Sequence, residues 1–87
     1  MDLDKSKLFR PPIKRSITIA GHQTSITLEP LFWGLLKTAS DDRNLPLNAL
    51  VAQIDVARIE SSDPPGLATA IRLWLVNDLL GKLGNAD

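Results

Sequence analysis

Thr24-Ser25-Ile26-Thr27-Leu28-Glu29-Pro30-Leu31-Phe32-Trp33 changes its period halfway along. Up to Leu28, hydroxyl side chains alternate with aliphatic ones, the signature of a half-buried strand. Beyond Glu29 the apolar residues crowd together, and Pro30 suits the first position of a helix, where no amide donor is needed. The junction predicts a strand that passes directly into a helix.

Upstream, Ser16-Ile17-Thr18-Ile19 alternates in the same way, and Gly21-His22 lies between the two runs. Glycine suits a turn that needs positive φ. The two runs form either a β-hairpin or two short strands with different partners. Residues 1–13 are polar, mixed in charge and end in Arg10-Pro11-Pro12, which predicts a flexible N-terminal arm.

Downstream, a first helix is expected over 30–43. Its Leu31, Phe32, Trp33, Leu35, Leu36 and Ala39 are too many for one narrow stripe, so it should be buried on several sides. Asn44 is placed to end it in a left-handed cap. A second helix is expected over 47–59, with Leu47, Leu50, Val51, Ile54 and Arg58 at helical spacing. Ser61-Ser62-Asp63-Pro64-Pro65-Gly66 breaks the pattern. A third helix follows over 67–83, and 84–87 reads as a disordered tail. The folded domain is therefore 14–83.

At 87 residues the chain is one domain, and a chain of this size buries only about 60–65% of its unfolded surface. Such a core is usually supplemented by disulfides, metals or a partner subunit. Cysteine is absent and His22 is the single histidine, which excludes disulfides, thiolate sites and multi-histidine zinc sites. Self-association is the supplement left. With no nucleophile–base set, glycine-rich phosphate loop or metal-ligand cluster, the expectation is a protein that is not an enzyme and uses no cofactor.

Formal net charge is zero but unevenly spread. Residues 1–28 carry five basic side chains against two acidic ones, and residues 29–87 carry five against eight. A basic front on an acidic body leaves binding to an anionic partner open, beside the plainer reading of a solvated tail. No 18-residue apolar run and no apolar leader are visible, so the expectation is a cytoplasmic protein with no membrane partner.

One alternating strand followed by two helices about a tight Asn44-Leu45-Pro46 turn resembles the ribbon–helix–helix superfamily. The stretch Lys14-Arg15-Ser16-Ile17-Thr18-Ile19-Ala20-Gly21-His22-Gln23 looks like a small bacterial branch that places a Lys-Arg-Ser strand and a Gly-His turn ahead of the ribbon strand. Leu67-Ala68-Thr69-Ala70-Ile71-Arg72-Leu73-Trp74-Leu75 resembles the third helix of that branch. The likeness covers roughly 14–76. It implies a mainly α fold with a short β-ribbon, arranged β-α-α plus an N-terminal strand and a C-terminal third helix. It also implies an intertwined homodimer in which each chain donates a strand to a two-stranded ribbon.

By the same resemblance the protein is a repressor-like regulator of transcription that inserts this ribbon into the major groove of double-stranded DNA. If Ile26 and Leu28 face the core, alternation turns Gln23, Ser25 and Thr27 outward as the base-reading positions, with Thr24 assignable to either face. Leu47, Asn48 and Ala49 open the second helix, where amides and the helix dipole favour a phosphate. Pro46 stands where the family usually has Ser or Thr, and Asn48 either supplies a donor or caps the turn. Lys14 and Arg15 are expected on flanking phosphates. Ile26, Leu28, Phe32, Trp33, Leu36, Leu50, Val51 and Ile54 are expected in the dimer core.

His22 is expected to be structural, Trp74 to be core or interface, and Arg72 to pair with an acid such as Asp55 or Glu60. Asp41 and Asp42 have no functional reading. Two questions stay open at this level. Residues 14–20 either add a strand beside the ribbon or fold across its DNA-facing surface. The alternative function, a protein-interaction module or antitoxin-like adaptor built on the same dimer, gains weight if Leu73, Leu79, Leu80 or Leu83 leaves an exposed patch on the third helix.

Overall fold

A two-residue turn sets the geometry of the first half of the chain. In the computed structural model, which describes residues 8–84, Ala20 and Gly21 take φ of 51° and 82°. Positive φ at both central residues is the type I′ pattern, whose twist matches that of the strands it joins. Strand β1 (Ile13–Ile19) therefore folds back on β2 (His22–Leu28) as an antiparallel hairpin, with Ser16 opposite Ser25. Of the two arrangements left open by the sequence, the hairpin is the one formed. β1 lies beside β2 and leaves its outer face uncovered.

The hairpin begins at Ile13, the last residue expected in the arm and one residue ahead of the expected start of the domain. Residues 10–12 carry no regular structure, while Lys5 and Lys7 of the arm and residues 85–87 of the tail lie outside the described residues.

Helix α1 (Pro30–Asp42) starts at the expected proline, and the Glu29 carbonyl accepts from the amides of Phe32 and Trp33 at 2.9 and 3.0 Å. It ends one residue earlier than expected. Asn44 has φ of 54°, the Leu45 amide donates to the Ser40 carbonyl at 2.9 Å, and the Asn44 amide donates to Asp41 at 3.0 Å. That pair of bonds is a Schellman motif, which satisfies carbonyls the helix itself cannot. Helix α2 (Leu47–Ile59) and helix α3 (Leu67–Gly84) complete the chain.

The core lies between the inner face of the hairpin and the three helices. Ile26, Leu28, Leu36, Leu50, Val51, Ile54, Ile71 and Leu75 are all at most 2% exposed. Seven of the eight residues expected in the dimer core, all but the half-buried Phe32, are thus already buried within one chain. The hairpin, α2 and α3 together cover Trp33, Leu36 and Ala39 of α1, while Phe32 and Leu35 stay half-buried and Leu31 exposed. Truncating such a residue, for example Leu36→Ala, typically costs about 2–5 kcal/mol.

Long-range polar contacts lock the helices. Arg43 at the end of α1 reaches Asp78 of α3 at 2.6 Å, bonds the Ala39 carbonyl at 3.0 Å and lies 4.9 Å from the Trp74 ring centre. Asp41 and Asp42 pair with Lys37 and Lys82 at 3.2 and 3.3 Å, a structural use for two acids at an unfavourable helix end. Arg72 pairs with Glu29 rather than Asp55 or Glu60. Asp55 is taken by Arg58, one turn further along the same helix at 2.9 Å.

Candidate nucleic-acid interface

Alternation along the paired strands sorts their side chains onto two faces. Lys14 opposite Thr27, Ser16 opposite Ser25 and Thr18 opposite Gln23 make one face, and all six residues are exposed. Ile17, Ile19, Ile26 and Leu28 turn the other way, into or against the core. Thr24, assignable to either face from sequence, is half-buried in register with the inward set.

The three expected base-reading residues thus lie on one exposed face, and Lys14 joins them. Arg15 does not. Its guanidinium lies 5.0 Å from the ring centre of Trp33, a core residue of α1 whose indole N–H donates to the Ile13 carbonyl at 3.0 Å. Ser16 and Thr18 belong to the outer face and were not singled out from sequence. The signal for them was present, because a two-residue turn after Ile19 places alternate residues of β1 opposite those of β2.

In a two-residue hairpin the residues flanking the turn form a hydrogen-bonded pair, so Ile19–His22 is one and Thr18–Gln23, Ser16–Ser25 and Lys14–Thr27 are not. Backbone groups of Gln23, Ser25 and Thr27 therefore point away from β1, along an outer edge of β2 that no strand of the described residues pairs. The Thr27 carbonyl on this edge accepts a long bond, 3.4 Å, from Arg72 Nη2. An open edge with polar backbone groups is a template for another strand. Residues 13–28 contain Lys14 and Arg15 and no acidic residue, so the hairpin is a positive element in a neutral chain.

Leu47, Asn48 and Ala49 form the first turn of α2, on a separate element from the sheet. Pro46 is the N-cap and supplies no side-chain cap. The Ala49 and Leu50 amides already donate to the Pro46 carbonyl at 3.0 and 3.2 Å. Of this turn, Asn48 is exposed, and Leu47 and Ala49 are half-buried. His22 lines a cavity of about 340 Å³ with Ile19, Thr24, Asp55, Arg58 and Leu67, beneath the hairpin turn.

An antiparallel ribbon with a polar, acid-free outer face, carried on a pair of helices joined by a tight turn, defines a small ribbon-bearing domain. Residues 12–79 match the family model described as the ribbon-helix-helix domain, and the chain belongs to that family. Members of the family are typically DNA-binding regulators, a non-enzymatic class, and their domains generally bind DNA as dimers. No curated protein and no solved structure matches the chain. Among the described residues no helix is long and apolar enough to cross a membrane.

Proposed function

We propose that this chain is a cytoplasmic, sequence-specific DNA-binding regulator that acts as a homodimer and represses transcription by occupying its operator. Two copies pair their β2 strands edge to edge through Gln23, Ser25 and Thr27, and the side chains of these residues enter the major groove. A bidentate Gln23 suits adenine, and the Ser25 and Thr27 hydroxyls serve as donors or acceptors. Lys14 and the Leu47–Ala49 turn meet phosphates, with Asn48 adding a side-chain donor, whereas Arg15, held against Trp33, is left out of the contact. The observation that carries this reading is the uncovered face on which Gln23, Ser25 and Thr27 stand exposed beside an unpaired strand edge.

The test is an amide NMR titration of labelled protein with a short arbitrary duplex at low salt, because non-specific binding uses the same phosphate contacts. Salt-reversible shifts at 23–27 and 47–49 are expected. Gln23→Ala with Ser25→Ala and Thr27→Ala should abolish sequence preference. Preference that survives this triple change, or no shifts at saturating DNA, sinks the reading.

One observation favours a second reading, a protein-interaction module on the same dimer. Leu73, Val76, Leu80 and Leu83 of α3 are 61, 45, 61 and 71% exposed. Their spacing of three, four and three residues lines them up as a coiled-coil-type seam, which is suited to a partner helix.

A further inference from the structure

If β2 strands pair about a two-fold axis, β1 becomes the outer strand on either side. Strands lie about 4.8 Å apart, so each β2 runs about 2.4 Å from the axis and each β1 about 7.2 Å. The major groove is about 12 Å wide, which leaves about 6 Å on each side of its centre. The two β2 strands fit within it. The β1 strands fall at its walls, where the phosphates are.

The outward side chains of β1 are Lys14, Ser16 and Thr18, all exposed. Each carries at least one hydrogen-bond donor and none carries a negative charge, which is what phosphate oxygens require. Their cross-strand neighbours are the proposed base readers: Thr27, Ser25 and Gln23. One face thus holds an inner row suited to base edges and an outer row suited to the DNA backbone.

We infer that β1 is a phosphate-binding rail, in which Ser16 and Thr18 extend the contact of Lys14 along the groove wall and set the depth and register at which Gln23, Ser25 and Thr27 meet the bases. This rests on the proposed function and adds to it a backbone contact from the strand ahead of the ribbon. Phosphate contacts position without specifying, so Ser16 and Thr18 contribute affinity and leave base preference alone. Were the hairpin of one chain the inserted ribbon instead, the same two residues would lie over the bases and specify them.

The experiment separates these cases. The unaltered full chain selects a preferred duplex from a random pool, and affinity is then measured for that duplex and a scrambled one. Ser16→Ala with Thr18→Val, the latter keeping shape and strand propensity, should weaken binding to both duplexes by the same factor, about tenfold. Ser16→Asp should weaken both further, and Lys14→Ala should lower the salt slope by about one for each phosphate that the lysine neutralised. Thermal melts check that each variant is folded. A loss confined to the selected duplex would move β1 over the bases and overturn the inference. Unchanged binding to both duplexes would also overturn it, while continued sensitivity to Gln23→Ala with Ser25→Ala would leave the proposed function standing. If the unaltered chain binds neither duplex, both fall together.

Discussion

Arg72 Nε lies 3.0 Å from a Glu29 carboxylate oxygen across 43 positions of sequence. Glu29 is the residue at which the ribbon strand becomes α1, so this pair fastens the third helix to the root of the ribbon. The same guanidinium stands 5.9 Å from the Phe32 ring centre and reaches the Thr27 carbonyl. The third helix thereby contributes to the placement of β2.

The Glu29 carboxyl is held below the ordinary carboxylate range, first by hydrogen bonding to its own backbone and then by Arg72. A lowered folded pKa contributes stability that is present above the unfolded value and is lost as pH falls through the folded one. Urea midpoints measured from pH 7 down to pH 3 should therefore decline, and Arg72→Ala should make that decline shallower while lowering the midpoint at pH 7. An identical slope in the variant would remove the pair from the pH response.

Ala20 holds φ of 51° without glycine's freedom, a conformation that costs an ordinary residue about 1–2 kcal/mol. Asn tolerates this region and is favoured ahead of Gly in type I′ turns. Ala20→Asn is expected to stabilise by about 0.5–1 kcal/mol in urea unfolding. Gly21→Ala should destabilise by about 1–2 kcal/mol through backbone strain alone, because a Cβ there meets nothing within 4 Å. Neutral results at both positions would mean the turn is not of this type in solution.

Arg43 joins α1 to α3 through a 2.6 Å ion pair with the half-buried Asp78 and a stacked Trp74. Arg43→Ala is expected to cost about 2–3 kcal/mol, since it removes a charge-assisted bond and leaves Asp78 with less compensation. A double-mutant cycle with Asp78→Asn should return a coupling of at least about 0.5 kcal/mol. Additive losses would assign the effect to packing on Trp74.

Leu80 and Leu83 lie outside the core of the chain, at 61 and 71% exposure. Leu80→Glu with Leu83→Glu should change stability by less than about 0.5 kcal/mol. In sedimentation equilibrium the dimer should persist, because the proposed pairing runs through β2. A monomeric variant would place the interface on α3 and favour the protein-interaction reading.

Gln23, Ser25 and Thr27 share a face because successive strand residues point to opposite sides, a property of the backbone that any alternating run displays. Pro30 at the start of α1, Asn44 in its left-handed cap and the break at 61–66 were legible for the same reason, since turn and cap chemistry depends on a few adjacent residues. These local rules, together with the resemblance, were enough for the class of fold. Tertiary structure alone decided what sits opposite what. Ser16 and Thr18 joined the outer face once pairing brought β1 against β2, Arg15 went to Trp33 instead of that face, and α2, α3 and the hairpin together buried most of the core within one chain. Arg72 chose Glu29 over nearer acids because distance along the chain says nothing about distance across a packed interior, where burial and geometry select the partner.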